Sequence, residues 1–312
     1  MVVHVYNPSH DEALAINKAQ YCPSSAARRT GEKFWDIAKW WKRPEDFILH
    51  MPDDGSLRGV IAWRAEEQAR PIADFDWSAV TAIEPWGWDR HIVGVLRKLG
   101  APDRLLPTDE QLDRIRELSS RQTTVKVLER LAMPPFTSRW CTDETAAMAA
   151  IEEFGGRAVM KFPWSCSGRG VWTTESPAAL QRIKKSLRDQ GAVEVEPFYE
   201  NLADFAMEFE ADVHGRVSFV GLSVFATHDG GGYAGNVVAP QEELRRRLES
   251  KVARSLPLDA VSARLCEVLT DVLAGDYTGP LGVDMMLTPA GIHPCIEVNL
   301  RNTMGRVALF QN

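Results

Sequence analysis

The stretch LGVDMMLTPAGIHPCIEVNLR, residues 281–301, decides how this chain is read. Two runs rich in strand-forming residues flank the turn-forming tetrad TPAG, so the pattern predicts a β-hairpin. With Leu287 facing Ile292 across that turn, Asp284 faces Cys295. Side chains in a strand alternate faces with period two. Glu297, Asn299 and Arg301 therefore share a face with Cys295, and Ile296, Val298 and Leu300 take the other. Asp284 falls on the Glu297 face, diagonal to it and close enough to share an ion. Two carboxylates, an amide and a guanidinium on one face, backed by an apolar one, suit a hard divalent cation held against phosphate. Mg²⁺ takes oxygen ligands and usually keeps substrate phosphates in its shell. A sheet with its polar face in water is the plainer alternative. The D…E-x-N-x-R order, with strand parity agreeing across the turn, favours the ion site.

Composition sets the bounds. A chain of 312 residues has room for two or three packed units rather than one large core. With 45% hydrophobic and 25% charged residues it reads as an ordinary globular protein. A net charge of -7 gives no electrostatic reason to expect nucleic acid or an anionic membrane as partner. The basic run Arg245 to Arg247 follows Glu242 and Glu243 at helical spacing, which predicts a solvated, paired face. Five scattered cysteines with no C-x-x-C support neither a disulfide framework nor a structural zinc site. No signal peptide or membrane-spanning run is evident, so a reducing cytoplasm is the expected compartment.

Residues 1–117 alternate strand and helix patterns and predict an α/β unit. Val2 to Tyr6 reads as a strand followed by the loop NPSHDEA. FWDIAKWWKRPEDFILH reads as a helix and strand that bury Trp35 or Trp40. VTAIEPWGWD runs from strand to loop, and DRHIVGVLRKLG is a helix with a glycine stop. Thr108 with Gln111 fits a capping box. Beyond residue 118 come a helix, the strand AVMKF, the loop SCSGRG, the strand VEVEPF, a second hairpin from ADFAMEFEAD and RVSFVGLSVF, and two helices before the final hairpin.

Taken together, Arg121, AVMKF with its Ser-Gly-Arg-Gly loop, EVEPFY, LGVDMML and IEVNLRNTMG resemble the ATP-grasp superfamily in order and spacing over residues 119–312. The last motif looks like the metal- and phosphate-binding strand of D-alanine–D-alanine ligases and biotin carboxylases, and also like uncharacterised bacterial ATP-grasp proteins. The resemblance implies an α/β domain over residues 1–117 before an α+β ATP-grasp part in two lobes, residues 118–190 and 191–312. It implies that Asp284, Glu297 and Asn299 bind Mg²⁺, with Glu297 bridging two ions for which Mn²⁺ is an acceptable substitute. Arg301 would steady the transferring phosphoryl group. Lys161 would contact the α- and β-phosphates, and Ser165, Ser167, Gly168 and Gly170 would belong to a mobile loop closing over them. Glu196, with the main chain at Pro197 and Tyr199, would hold adenine. Asp204 lies near the ribose-binding acid, though a solvent-facing strand residue reads equally well there. The family's first phosphate-binding lysine is replaced by Arg121, which grips phosphate bidentately.

The implied reaction is ATP-dependent ligation: a carboxylate is activated as an acylphosphate and attacked by an amine or other nucleophile. A kinase acting on a hydroxyl and a non-catalytic ATP-binding regulator are the competing readings. Small molecules, not nucleic acid or membrane, are the expected partners, and a homodimer is compatible with the family. Groups available for the acceptor are His10, Asp11, Glu12, Trp86, Trp88, Asp89, His228, Tyr233 and Asn236. His10-Asp11-Glu12 is a poor metal site because consecutive residues rarely converge on one ion. Trp86 and Trp88 read first as packing. Cys166 has no histidine near it in sequence to act as a base.

Overall fold

The computed structural model describes residues 1–52, 56–64, 69–165, 170–227 and 233–311. The chain divides into two compact units, Met1–Arg116 and Glu117–Asn312.

The first unit is built on β1 (Val2–Val5), β2 (Phe47–His50), β3 (Ile61–Trp63), β4 (Arg70–Pro71) and β5 (Ala82–Pro85), in the order β4-β3-β2-β1-β5. Its centre is parallel: β1 runs with both β2 and β5, and β3 joins the edge of β2 antiparallel. Val3, Ile48 and Leu49 are almost wholly buried, as expected of central strands covered on both faces. The helices are α1 (His10–Ile16), α2 (Ser25–Phe34), α3 (Arg90–Lys98) and α4 (Asp109–Leu118). Asp89 caps α3 through Ile92 N. Thr108 and Gln111 cap α4 reciprocally, the Thr108 amide donating to Gln111 Oε1 and the Gln111 amide to Thr108 Oγ1. One local expectation is corrected. The WDIAKWW segment forms only a short 3₁₀ turn, Ile37–Trp40. Ile37 and Ala38 enter the core from it, whereas Trp40 is 44% exposed and Trp35 half-buried against His50 and Trp63.

The second unit opens with α5 (Arg121–Leu131). Then come β6 (Arg139–Cys141), α6 (Glu144–Glu153), β7 (Ala158–Lys161), β8 (Val171–Thr173), α7 (Ala179–Gln190) and β9 (Val193–Pro197). The strands of this stretch form one antiparallel sheet, β6-β9-β7-β8, whose Ala158, Met160, Val193 and Val195 pack on α6 and α7 residues including Ala147, Ile151 and Ile183. A second sheet follows: β10 (Ala203–Ala211), β11 (Val217–Thr227), β12 (Tyr233–Asn236), β13 (Gly279–Thr288) and β14 (Gly291–Asn299), in the order β12-β11-β10-β13-β14. Helices α8 (Gln241–Val252) and α9 (Leu258–Leu273) lie between β12 and β13 in sequence, and α10 (Met304–Phe310) ends the unit. Arg246 and Arg247 pair with Glu243 on α8. No helix among the described residues is long and apolar enough to cross a membrane.

The two faces of this second sheet differ in kind. Phe205, Met207 and Phe209 of β10 stand opposite Met285, Val283 and Leu281 of β13, so those side chains share the apolar face. On α9, Val261, Leu265, Val268 and Val272 recur at helical spacing and are all buried where that helix packs on β10 and β11. On the opposite face Ala206 stands beside Asp284 and Glu208 beside Gly282.

Candidate functional site

On that polar face two rows run across the strands. One contains Ser223, Ala206, Asp284 and Glu297; the next contains Gly221, Glu208, Gly282 and Asn299. Residues paired in register project to the same side, so three carboxylates and an amide share one surface. The hairpin pairs Leu287 with Ile292 as expected, but Asp284 faces Glu297 directly and not Cys295. The ladder breaks between Asp284 and Met286. Met285 alone spans a gap that residues 294–296 cross on β14. Pro294 has no amide hydrogen to give the ladder, which is where a bulge is tolerated. The break also frees the Ile296 carbonyl, which accepts from Arg121 Nη1 at 3.4 Å and from Lys161 Nζ at 3.3 Å.

Arg121 stands at the first position of α5, buried, with Nη2 3.0 Å from Glu297 Oε2. Burial disfavours its charge, but Glu297, Glu194 and Glu196 outweigh that and hold the guanidinium more firmly protonated than usual. Lys161 ends β7 and is 2% exposed. Its Nζ is 2.8 Å from Glu196 Oε1 and 3.7 Å from Glu194 Oε2. Burial raises the Glu196 carboxyl to about 6 against the pull of Lys161. Asp284 rises to about 7, first from burial and then from repulsion by Glu297, with Arg301 and Asn299 opposing. Asn299 Nδ2 donates to Asp284 Oδ2 at 3.1 Å, and its Oδ1 accepts from Arg301 Nη2 at 2.8 Å. These contacts unite Arg121, Lys161, Glu196, Asp284, Glu297, Asn299 and Arg301 in one network.

The remaining expected residues lie around it. Ser165 and Gly170 are neighbours: a Cβ on Gly170 would stand 2.3 Å from that of Ser165, so only glycine fits. Ser167 and Gly168, with Cys166 and the lid expected of that loop, fall outside the described residues, as does His228. Tyr199 does not reach the charged network with its hydroxyl, which donates to Pro135 O and accepts from Thr137 N. Pro197 ends β9 opposite Ala158, and Asp204 accepts from Asn201 Nδ2 at the start of β10. In the first unit His10, Asp11 and Glu12 do not converge. His10 pairs with Asp89, while Glu12 accepts from Tyr21 and Ser24. Trp86 packs edge-on against Tyr6, and Trp88 against the unit's core.

Three residues of the network's surroundings escaped the sequence reading. Glu194, wholly buried, accepts from Ser138 Oγ at 2.7 Å. Glu208, 1% exposed, accepts from Thr303 Oγ1 at 2.7 Å, and burial followed by repulsion from Asp284 raises it to about 8. His293 packs between the rings of Phe136 and Tyr199, and burial lowers it to about 3. The alternation V-E-V-E of residues 193–196 already put Glu194 on the Glu196 face, and A-M-E did the same for Glu208 beside Ala206. No sequence signal marks His293.

Several solved structures are similar to this chain in fold. D-alanyl-alanine synthetase A from Vibrio cholerae O1 biovar eltor matches 99% of this chain and 90% of its own, with TM-score 0.54 and 13% identity. The chain has the ATP-grasp fold. N5-carboxyaminoimidazole synthetase from Staphylococcus aureus, complexed with ADP, is a second ATP-grasp neighbour. It matches 97% of this chain and 70% of its own, with TM-score 0.53 and 12% identity. Biotin carboxylase from Campylobacter jejuni, in a β-γ-ATP complex, matches 72% of this chain at TM-score 0.51 and 15% identity; the match spans 49% of that protein. No family model and no curated protein matches the sequence.

The donor set fits Mg²⁺ better than a softer metal. Among the described residues no three His, Cys, Asp or Glu side chains are grouped to enclose a metal ion. Two facing carboxylates and an amide oxygen are the sparse oxygen set that Mg²⁺ completes with phosphate and water. Asp284, raised to about 7 by burial and then by the facing Glu297, is an acid whose ionised form a bound cation would favour.

Proposed function

We propose that the chain is an ATP-dependent ligase that activates a substrate carboxylate as an acylphosphate for attack by an amine or another nucleophile. The observation that carries this reading is the convergence of Arg121 and Lys161 on the Ile296 carbonyl, beside the facing pair Asp284 and Glu297. Cations and carboxylates from α5, β7, β13 and β14 thus meet at one break in a sheet. The fold shared with synthetases, one of them holding ADP, agrees with it.

Asp284, Glu297 and the Asn299 oxygen would hold Mg²⁺, with Asn299 first releasing Arg301. Bound there, the metal neutralises phosphate charge. Lys161 and Arg121 position the phosphates, and Arg301, once freed from Asn299, steadies the group in flight. Glu196 with the Pro197 and Tyr199 main chain takes adenine, and Asp204 the ribose. Residues 118–190 and 191–312 act as the two lobes, with Ser165 and Gly170 at the base of the phosphate loop. The substrate carboxylate attacks the γ-phosphorus, the bond to the β–γ bridging oxygen breaks, and ADP leaves. The nucleophile then adds to the acyl carbon, its proton is lost, and phosphate departs with the C–O electron pair. Small molecules suffice as partners.

Coupled ADP release against amino acids and small carboxylates, singly and in pairs, tests the reaction. Release that requires a carboxylate and an amine together, with one phosphate per ADP, is expected. ADP formed with a hydroxyl compound that retains the phosphate would make the protein a kinase.

A further inference from the structure

Lys161 is held in an arrangement that a nucleotide must dismantle. Its cross-strand partner in register is Glu194, yet its ammonium leans along β9 to Glu196, 2.8 Å away. Glu196 is the acid proposed for adenine, and Lys161 the cation proposed for phosphate. Occupying both roles breaks their pair. A buried ammonium that loses its carboxylate is costly unless another counter-charge takes over.

That second counter-charge is present. Glu194 is wholly buried on the same strand face, two residues before Glu196. Ser138 holds its Oε1, whereas Oε2 has no hydrogen-bond partner among the described residues and lies 3.7 Å from Lys161 Nζ. A buried carboxylate oxygen left without a donor is costly, and a cation brought up to it relieves that cost. Nothing in the reaction sequence above uses Glu194.

Building on the proposed nucleotide site, we infer that Glu194 is a positioning residue. It takes over Lys161 when adenine claims Glu196 and holds the ammonium on the phosphates. Lys161 thus has two stations: Glu196 in the free protein, and Glu194 with phosphate in the nucleotide complex. Ser138 fixes the second station in advance, so a short shift of Nζ along β9 completes the exchange. In the free protein the Lys161–Glu196 pair also competes with nucleotide, and only Glu194 offsets that competition.

The test is a double-mutant cycle read by titration calorimetry with Mg·ADP. Glu194→Gln keeps the shape and the Ser138 contact but removes the charge, and is expected to weaken Mg·ADP about tenfold, the scale of one charge-assisted hydrogen bond. Lys161→Met is expected to weaken it as well. In the Lys161→Met background the Glu194→Gln change should have no further effect, since Glu194 acts through that lysine. An undiminished loss in that background would assign Glu194 a merely structural role and overturn the inference, as would wild-type affinity in Glu194→Gln. Should Glu194→Gln not fold, Ser138→Ala reports the same station and should weaken Mg·ADP about two- to threefold; no change would count against it. Absence of Mg·ADP binding by the wild-type protein would instead remove the nucleotide site, and this inference with it.

Discussion

Replacing Glu208 by Gln should make the protein more stable, by an amount that grows with pH. Glu208 is 1% exposed, and burial raises its carboxyl from 4.5 to about 8. Oε2 accepts from Thr303, while Oε1 has no partner among the described residues. Between the unfolded and folded values the native state binds the extra proton, so stability falls as pH rises through that window. Stability from the neutral acid is complete below about pH 4.5 and lost by the time pH passes about 8. Linkage puts the cost of Glu208 at about 1 kcal/mol at pH 5, about 3 at pH 7 and about 5 at pH 9. Gln still accepts from Thr303 and never ionises. The stability difference between Glu208→Gln and wild type should therefore grow by about 4 kcal/mol from pH 5 to pH 9. Urea unfolding of both proteins at pH 5, 7 and 9, followed by circular dichroism, measures it. A difference that stays constant with pH would refute the reasoning, because it would mean that Glu208 ionises no less readily folded than unfolded.

Arg301→Ala should keep the fold and Mg·ADP affinity yet lower turnover by about 10³, as loss of a phosphoryl-stabilising arginine does; wild-type ADP release would show the role misassigned. Gly305→Ala would place a Cβ 2.0 Å from Glu208 Oε1 and 2.4 Å from Ser223 Oγ. Overpacking of that kind should cost about 1–3 kcal/mol, and an unchanged melting temperature would mean that Glu208 moves aside freely. Because Asp284 sits at about 7 without metal, Mg²⁺ must displace its proton. Mg²⁺ affinity in the presence of ADP should then drop about tenfold per pH unit below 7, and a flat profile from pH 8 to pH 6 would contradict it.

The hairpin, its turn and the face shared by Asp284, Glu297 and Asn299 were legible because strand parity is local and alternation was clean on both sides of TPAG. The direct Asp284–Glu297 pairing was not. Parity survives a two-residue bulge, so the face came out right while the partner came out wrong. Arg121 was placed by family order, but its contact with Glu297 depends on how α5 meets β14, which no local pattern encodes. Glu194 and Glu208 are visible as alternating glutamates, but alternation alone does not say whether a polar strand face is buried. Only the packing of the β6–β9 sheet and of α10 shows that both are buried. Trp35 and Trp40 illustrate the reverse error, since large aromatics suggest a core and a 3₁₀ turn left one of them outside.

Equilibrium titration of the wild-type protein and Asp284→Asn with a non-hydrolysable ATP analogue, with and without Mg²⁺, bears most directly on the proposed site. The site proposed between Lys161 and the Asp284–Glu297 face predicts saturable binding by the wild type that Mg²⁺ strengthens, and loss of that Mg²⁺ enhancement in Asp284→Asn. No binding by the wild type, or the same Mg²⁺ enhancement in Asp284→Asn, would contradict it.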